Sequence, residues 1–229
     1  MNSLYLLVNI CSVIVPFIFS FHPKLKFHKE WKYFFPALFI ASGSFIIWDA
    51  IFTNWEVWGF NEKYILGIYL GELPLEEVLF FICIPYCCVF TYHCLNLFFD
   101  FNWNPQTTKL VTLFFSFVLL GLGLVYFGQA YTSVTFISLS ILLLIYQFVL
   151  KGKSLSKMYS SWLVLLIPFL IVNGILTGTG LEEPVVWYDN TENFSIRIYT
   201  IPIEDIFYGF LLFLLTVTFM EIFRYKSPK

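Results

Sequence analysis

Long apolar stretches separated by short polar ones set the pattern of this chain, and seven of them approach the length a helix needs to cross about 30 Å of hydrocarbon. They run from Leu4 to Phe21, Tyr33 to Phe52, Leu75 to Phe99, Leu110 to Phe127, Tyr131 to Leu150, Trp162 to Leu176 and Ile203 to Phe223. Only Gly128-Gln129-Ala130 divides the fourth from the fifth. The first window has no basic residue before it and no small-residue cleavage site after it, so it reads as a retained helix and not as a removable signal. Pro16, Pro36, Pro85 and Pro168 fall inside windows, where neighbouring membrane helices satisfy the freed carbonyls and local kinks are expected. The predicted fold class is all-α: a polytopic membrane protein of about seven transmembrane helices.

Composition agrees with that pattern. Hydrophobic residues make up 59% of the chain and charged ones 12%, about half the share of a soluble domain, with a mean hydropathy of +0.79. A net charge of -2 offers no basic field for nucleic acid. The distribution of charge carries more information than its sum. Lys24, Lys26, Lys29 and Lys32 fill the first loop, Lys151, Lys153 and Lys157 the fifth, and Arg224, Lys226 and Lys229 the C-terminal tail. With seven spans these share one side, which the positive-inside rule makes cytoplasmic. The opposite loops hold Glu56, Glu62, Glu72, Glu182, Glu183, Asp189 and Glu192 against only Lys63 and Arg197. The expectation is a multi-pass protein of the cell membrane with its N-terminus outside and its C-terminus in the cytoplasm.

The chain also repeats itself. Trp48-Asp49-Ala50-Ile51-Phe52-Thr53 matches Val172-Asn173-Gly174-Ile175-Leu176-Thr177. After each comes a second shared pattern, Pro74-Leu75-Glu76-Glu77-Val78-Leu79-Phe80-Phe81 in one half and Pro202-Ile203-Glu204-Asp205-Ile206-Phe207-Tyr208 in the other. Matching helices then run in the same sense, so the units are parallel repeats about an axis along the membrane normal. The predicted organisation is a first repeat over 1–108, a linker helix over 109–130 and a second repeat over 131–229.

Proline followed by acids at a helix start is what the helix dipole favours, and capping explains a single copy. Two copies in register, on helices that must enter a bilayer at a cost of roughly 2.5 to 3.5 kcal/mol per central charge, point to function. Asp49 and Asn173 end their helices at the level where the acidic pairs start theirs, so all six groups are expected in one layer. Neighbours on a helix point about 100° apart, which makes the natural pairings run across the repeats, Glu76 with Glu204 or Glu77 with Asp205. A shared apolar site can hold one carboxyl protonated and another ionised, giving an acid and a base without a metal or redox centre. Trp48, Phe80, Phe81, Phe207 and Tyr208 lie within about a turn of these groups, where ring faces stabilise a carbocation by about 2 kcal/mol each when desolvated. Trp55, Trp58, Trp187 and Tyr188 read as an interfacial aromatic belt.

On these motifs the chain resembles the lycopene cyclase domain family, the heterodimeric bacterial type with both halves fused. The resemblance implies a carotenoid cyclase, an isomerase acting as an intramolecular lyase of the lycopene beta-cyclase type. It closes the ends of a linear carotene to ionone rings, and the choice of a beta over an epsilon ring is carried by the resemblance alone. Carried over by position, the catalytic carboxylates are Glu76, Glu77, Glu204 and Asp205; Asp49, Asn173, Trp48, Phe80, Phe81, Phe207 and Tyr208, by their placement beside these acids, are expected on the substrate. The implied partners are lycopene, membrane lipid, and other carotenoid enzymes or further copies of the chain. No cofactor is evident. Gly121-Leu122-Gly123 with Gly128 has the wrong spacing and setting for a dinucleotide fingerprint, although a loosely bound reduced flavin or NAD(P)H would leave no motif. Cys83, Cys87, Cys88 and Cys94 share one apolar helix and read as small packing residues, so no metal site is expected. The competing readings are a proton-coupled transporter and a non-catalytic carotenoid-binding scaffold.

Overall fold

The computed structural model describes residues 3–152 and 154–226, and the seven apolar windows form seven helices there. These are α1 (Leu4–Phe19), α2 (Trp31–Asn54), α3 (Leu75–Phe98), α4 (Pro105–Val125), α5 (Ala130–Phe148), α6 (Leu155–Leu176) and α7 (Ile203–Lys226). All but α1 are long and apolar enough to cross a membrane. With 16 residues α1 spans about 24 Å. Two boundaries move from their expected places for local reasons. The fourth helix starts earlier because Asn104 caps it, its side chain accepting from the Gln106 N–H at 2.9 Å with Pro105 in the first turn. The sixth starts earlier because its first turns are polar, Ser156, Lys157, Ser160 and Ser161 preceding the apolar run. Lys153 and Lys229 of the basic clusters lie outside the described residues.

Two three-helix units, α1–α3 and α5–α7, are joined by α4, which lies along α5. Gly123 permits that approach, since a Cβ there would stand 2.8 Å from the Ile137 side chain and 3.3 Å from backbone atoms of α5. Within the units α1 packs on α3 and α5 on α7; between them α2 packs on α7 and α6 on α3. The core under the interface is aromatic and aliphatic, with Phe34, Leu38, Phe45, Leu214 and Phe213 all buried. At one end of the bundle Arg224 meets Glu30 at 2.7 Å and His93 reaches the Leu25 carbonyl at 2.7 Å, so the first loop gathers with the C-terminal ends of α3 and α7.

The opposite end is closed by short strands. β1 (Trp58–Phe60) pairs antiparallel with β4 (Val186–Tyr188), each from the loop after the second helix of its unit. Gly59 faces Trp187 at the centre of this pair, and a Cβ on Gly59 would come within 2.3 Å of the indole. Two hairpins, β2 (Tyr69–Leu70) with β3 (Leu73–Pro74) and β5 (Arg197–Ile198) with β6 (Ile201–Pro202), lead into α3 and α7. The motif prolines therefore end strands. Pro74 is extended at φ −63, ψ 148 and stands one place before its helix, where its missing N–H costs no helical bond.

Candidate active site

The hairpins decide what each motif acid can do. Because each folds back over the helix it leads into, the Leu66 N–H reaches Glu76 Oε1 at 2.7 Å, and the Phe194 N–H reaches Glu204 Oε1 at 2.7 Å. Thr132 also donates to Glu204 Oε1, at 2.6 Å. Glu76 and Glu204 are fully buried and bind their own loops; no hydrogen bond joins one to the other.

The next residue on each helix, about 100° further round, turns into the bundle. Glu77 accepts from the Tyr5 hydroxyl of α1, and its carboxyl lies beside that of Asp49 of α2. Asp49 in turn accepts from Trp58 Nε1 of β1. In the second unit Asp205 accepts from Tyr131 of α5 at 2.5 Å, from Asn173 Nδ2 of α6 at 2.6 Å and from Tyr188 of β4 at 3.1 Å. Burial, and next the Asp205 charge, push the Tyr188 phenol well up, so it stays a donor. The Asp205 charge reaches Glu77 across the repeat boundary. The structure thus brings together Asp49, Asn173, Glu77 and Asp205, and holds Glu76 and Glu204 apart from them on the loops.

Asp49, Asn173 and Asp205 line the polar end of a cavity of about 260 Å³, together with Trp58, Tyr131, Tyr188 and Tyr208. From there it follows α3 from Phe80 to Thr91, roughly 16 Å at the helical rise, between apolar faces of α6 and α7. Half-buried Pro16 of α1 and exposed Pro168 of α6 also line it, so it reaches the apolar outer surface between those helices. Of the expected aromatic contacts, Phe80 and Tyr208 line the cavity. Trp48 stands behind the Tyr208 ring, 5.1 Å between centroids. Phe81 packs toward Phe45 and Phe207 toward Phe136, away from the lining. Cys87 and Cys88 line the apolar part, and no group of three or more His, Cys, Asp or Glu that could hold a metal occurs among the described residues.

The four residues that sequence reasoning did not assign are donors. Tyr5 and Tyr131 hold matching places near the start of the first helix of each unit, a signal open to an alignment of the two halves. Trp58 and Tyr188, read as belt residues, instead face the acids, whereas Trp55 and Trp187 remain 63% and 41% exposed.

The model of the lycopene cyclase family matches residues 2–95 and 128–223, well over half of the chain and one match per unit. The chain belongs to the lycopene cyclase family. A search of curated proteins and one of solved structures each returned no match. Membership makes this a cyclase of carotenoid biosynthesis at family level, and the two matches leave α4 between them, as a linker between repeats would be.

Proposed function

We propose that the chain closes the open ends of a linear carotene, lycopene or a close relative, by non-redox acid/base catalysis of the lycopene beta-cyclase type. One observation carries the reading: carboxyl groups from both repeats, Asp49 and Asp205, line the polar end of a single apolar cavity that reaches the lipid-facing surface. A hydrocarbon dissolved in the bilayer enters such a site without crossing water. A protonated carboxyl adds its proton to the terminal double bond, the neighbouring double bond attacks the tertiary cation, and an ionised carboxylate removes a proton to leave the ring olefin. The Phe80 and Tyr208 rings on the wall favour the cation by about 2 kcal/mol each when water is excluded. Glu77 and Asp205 belong to this chemistry, and Glu76 and Glu204 brace the loops that seal it. The lysines of the first and fifth loops support an orientation in the cell membrane with these ends cytoplasmic and the acids near the outer face.

The test is expression in a bacterium that accumulates lycopene, with chromatography of the extracted pigments. Cyclic carotene from the unaltered chain, absent with Asp205→Asn at equal membrane insertion, is the expected result. Unchanged lycopene from well-inserted protein overturns the substrate assignment.

A further inference from the structure

The two halves of the site are built alike with one difference. Tyr5 corresponds to Tyr131 and Glu77 to Asp205, each tyrosine donating to its acid. At the third position the second unit has an amide, Asn173, donating to Asp205, and the first has a second carboxyl, Asp49, beside Glu77. One amide and two tyrosines satisfy Asp205 as a pure acceptor with three donors and no need of a proton. Two carboxyls cannot bond to each other without a proton between them, and two like charges side by side in an apolar site do not both persist. Asp49 Oδ1 takes the Trp58 N–H and Glu77 takes the Tyr5 hydroxyl, while Asp49 Oδ2 is buried with no hydrogen-bond partner, the place left for a proton between the two carboxyls. Asp49 lines the cavity.

We infer that Asp49 is the catalytic residue that protonates the substrate, that Glu77 is the positioning partner sharing its proton, and that Asp205 is the base. This rests on the cyclase reading and gives it a direction. The Asp49 O–H bond breaks as a C–H bond forms at the terminal double bond. The ring C–C bond forms from the neighbouring double bond, and a C–H bond beside the new cation breaks as Asp205 takes the proton and the electron pair becomes the ring double bond. The proton then returns from Asp205 to the Asp49–Glu77 pair, so the net change is an isomerisation. Tyr208 is suited to carry it, because its buried hydroxyl has no hydrogen-bond partner and its ring lines the same cavity, against both Trp58 and Tyr131, the donors to Asp49 and Asp205. The corresponding residue of the first unit is Phe80, so this relay exists once.

Asp49→Asn and Glu77→Gln are the tests: the first copies the amide–carboxylate pairing that the second half already holds, and the second places the amide on the other member. Either change removes the shared proton and keeps a hydrogen bond, so the fold is expected to survive. Cyclic product in lycopene-accumulating membranes is expected to fall at least about 100-fold for both, while the purified proteins keep their bound lycopene and melting temperature. Glu77→Gln reaches the same proton from the other side, so the test stands if one variant inserts poorly. Product within tenfold of wild type from either well-inserted variant overturns the inference. A wild-type chain that makes no cyclic product overturns the cyclase reading itself, and is distinguished by failing before any substitution is made.

Discussion

Glu204 and Asp205 are adjacent, both acidic and both buried, yet they have different hydrogen-bond partners, and substitution of Glu204 tests the two roles proposed for them. Glu204 Oε1 accepts from the Phe194 N–H and the Thr132 hydroxyl, and its Oε2 has no partner. Truncation in Glu204→Ala strips both donors inside the bundle, at about 1 to 3 kcal/mol each. The sum, about 4 kcal/mol, corresponds to a fall in melting temperature on the order of 10 °C for a chain of this size. Glu204→Gln keeps an oxygen where both donors point and alters only the unpartnered oxygen, so its expected cost is about 1 kcal/mol and a shift of roughly 3 °C. Melting in detergent, followed by tryptophan fluorescence, measures these shifts, and pigment analysis of lycopene-accumulating membranes measures the reaction. Glu204→Gln is expected to retain product within about tenfold, while Asp205→Asn loses at least about 100-fold. A Glu204→Gln protein that melts like wild type and makes no cyclic carotene would show that the Glu204 carboxylate takes part in the chemistry, and would refute the division of the motif into bracing and reacting acids.

Gly59→Ala places a methyl group 2.3 Å from the Trp187 ring, and overpacking of this kind costs about 1 to 3 kcal/mol. Because β1 and β4 carry Trp58 and Tyr188 to the two acids, product yield is expected to fall as well, read from melting and pigment together. Tyr131→Phe removes one of three donors to Asp205; stability is expected to drop by about 1.5 to 3 kcal/mol, with cyclic product reduced but detectable where Asp205→Asn leaves none. Tyr199 sits at φ 57 in the turn between β5 and β6, 91% exposed, where the matching turn has Gly71 at φ 67. Tyr199→Gly is therefore expected to raise stability by roughly 0.5 to 1 kcal/mol without loss of product, checked by melting.

The helices and the duplication were legible because both are long-wavelength features: windows near the bilayer thickness, and motifs recurring in order. Which acid turns into the bundle was not, since Glu76 and Glu77 differ only in azimuth, and the azimuth is set by where the loop ten residues upstream lays its N–H groups. The belt assignment divided for a similar reason. Tryptophan and tyrosine serve equally as interfacial anchors and as buried donors, and what turns Trp58 and Tyr188 inward is the antiparallel pairing of two loops far apart in sequence, around a glycine that gives Trp187 room. Pairing of that range leaves no periodicity in either segment.

The departures from symmetry account for the acid-lined cavity lying on one side of the axis where two equivalent units meet. A perfect duplication would surround the axis with two equal gaps, α3 against α6 and α7 against α2. On the second of these, Tyr208 packs against Phe45 and Trp48 with centroids 4.9 and 5.1 Å apart, filling the space. On the first, Pro85, Cys87, Cys88 and Pro168 supply little volume to the wall and the gap stays open. Gly209 faces Trp162 and Phe169 there, and a methyl group in its place would stand 3.0 Å from the Trp162 ring. The same inequality sets a carboxyl, Asp49, opposite an amide, Asn173, and in the proposed mechanism the cavity receives its acid from one half and its base from the other. An exchange of cavity sides would need the packing and the proton inventory to change together, which is why single substitutions at Asp49 or Gly209 are expected to impair the reaction and not to relocate it.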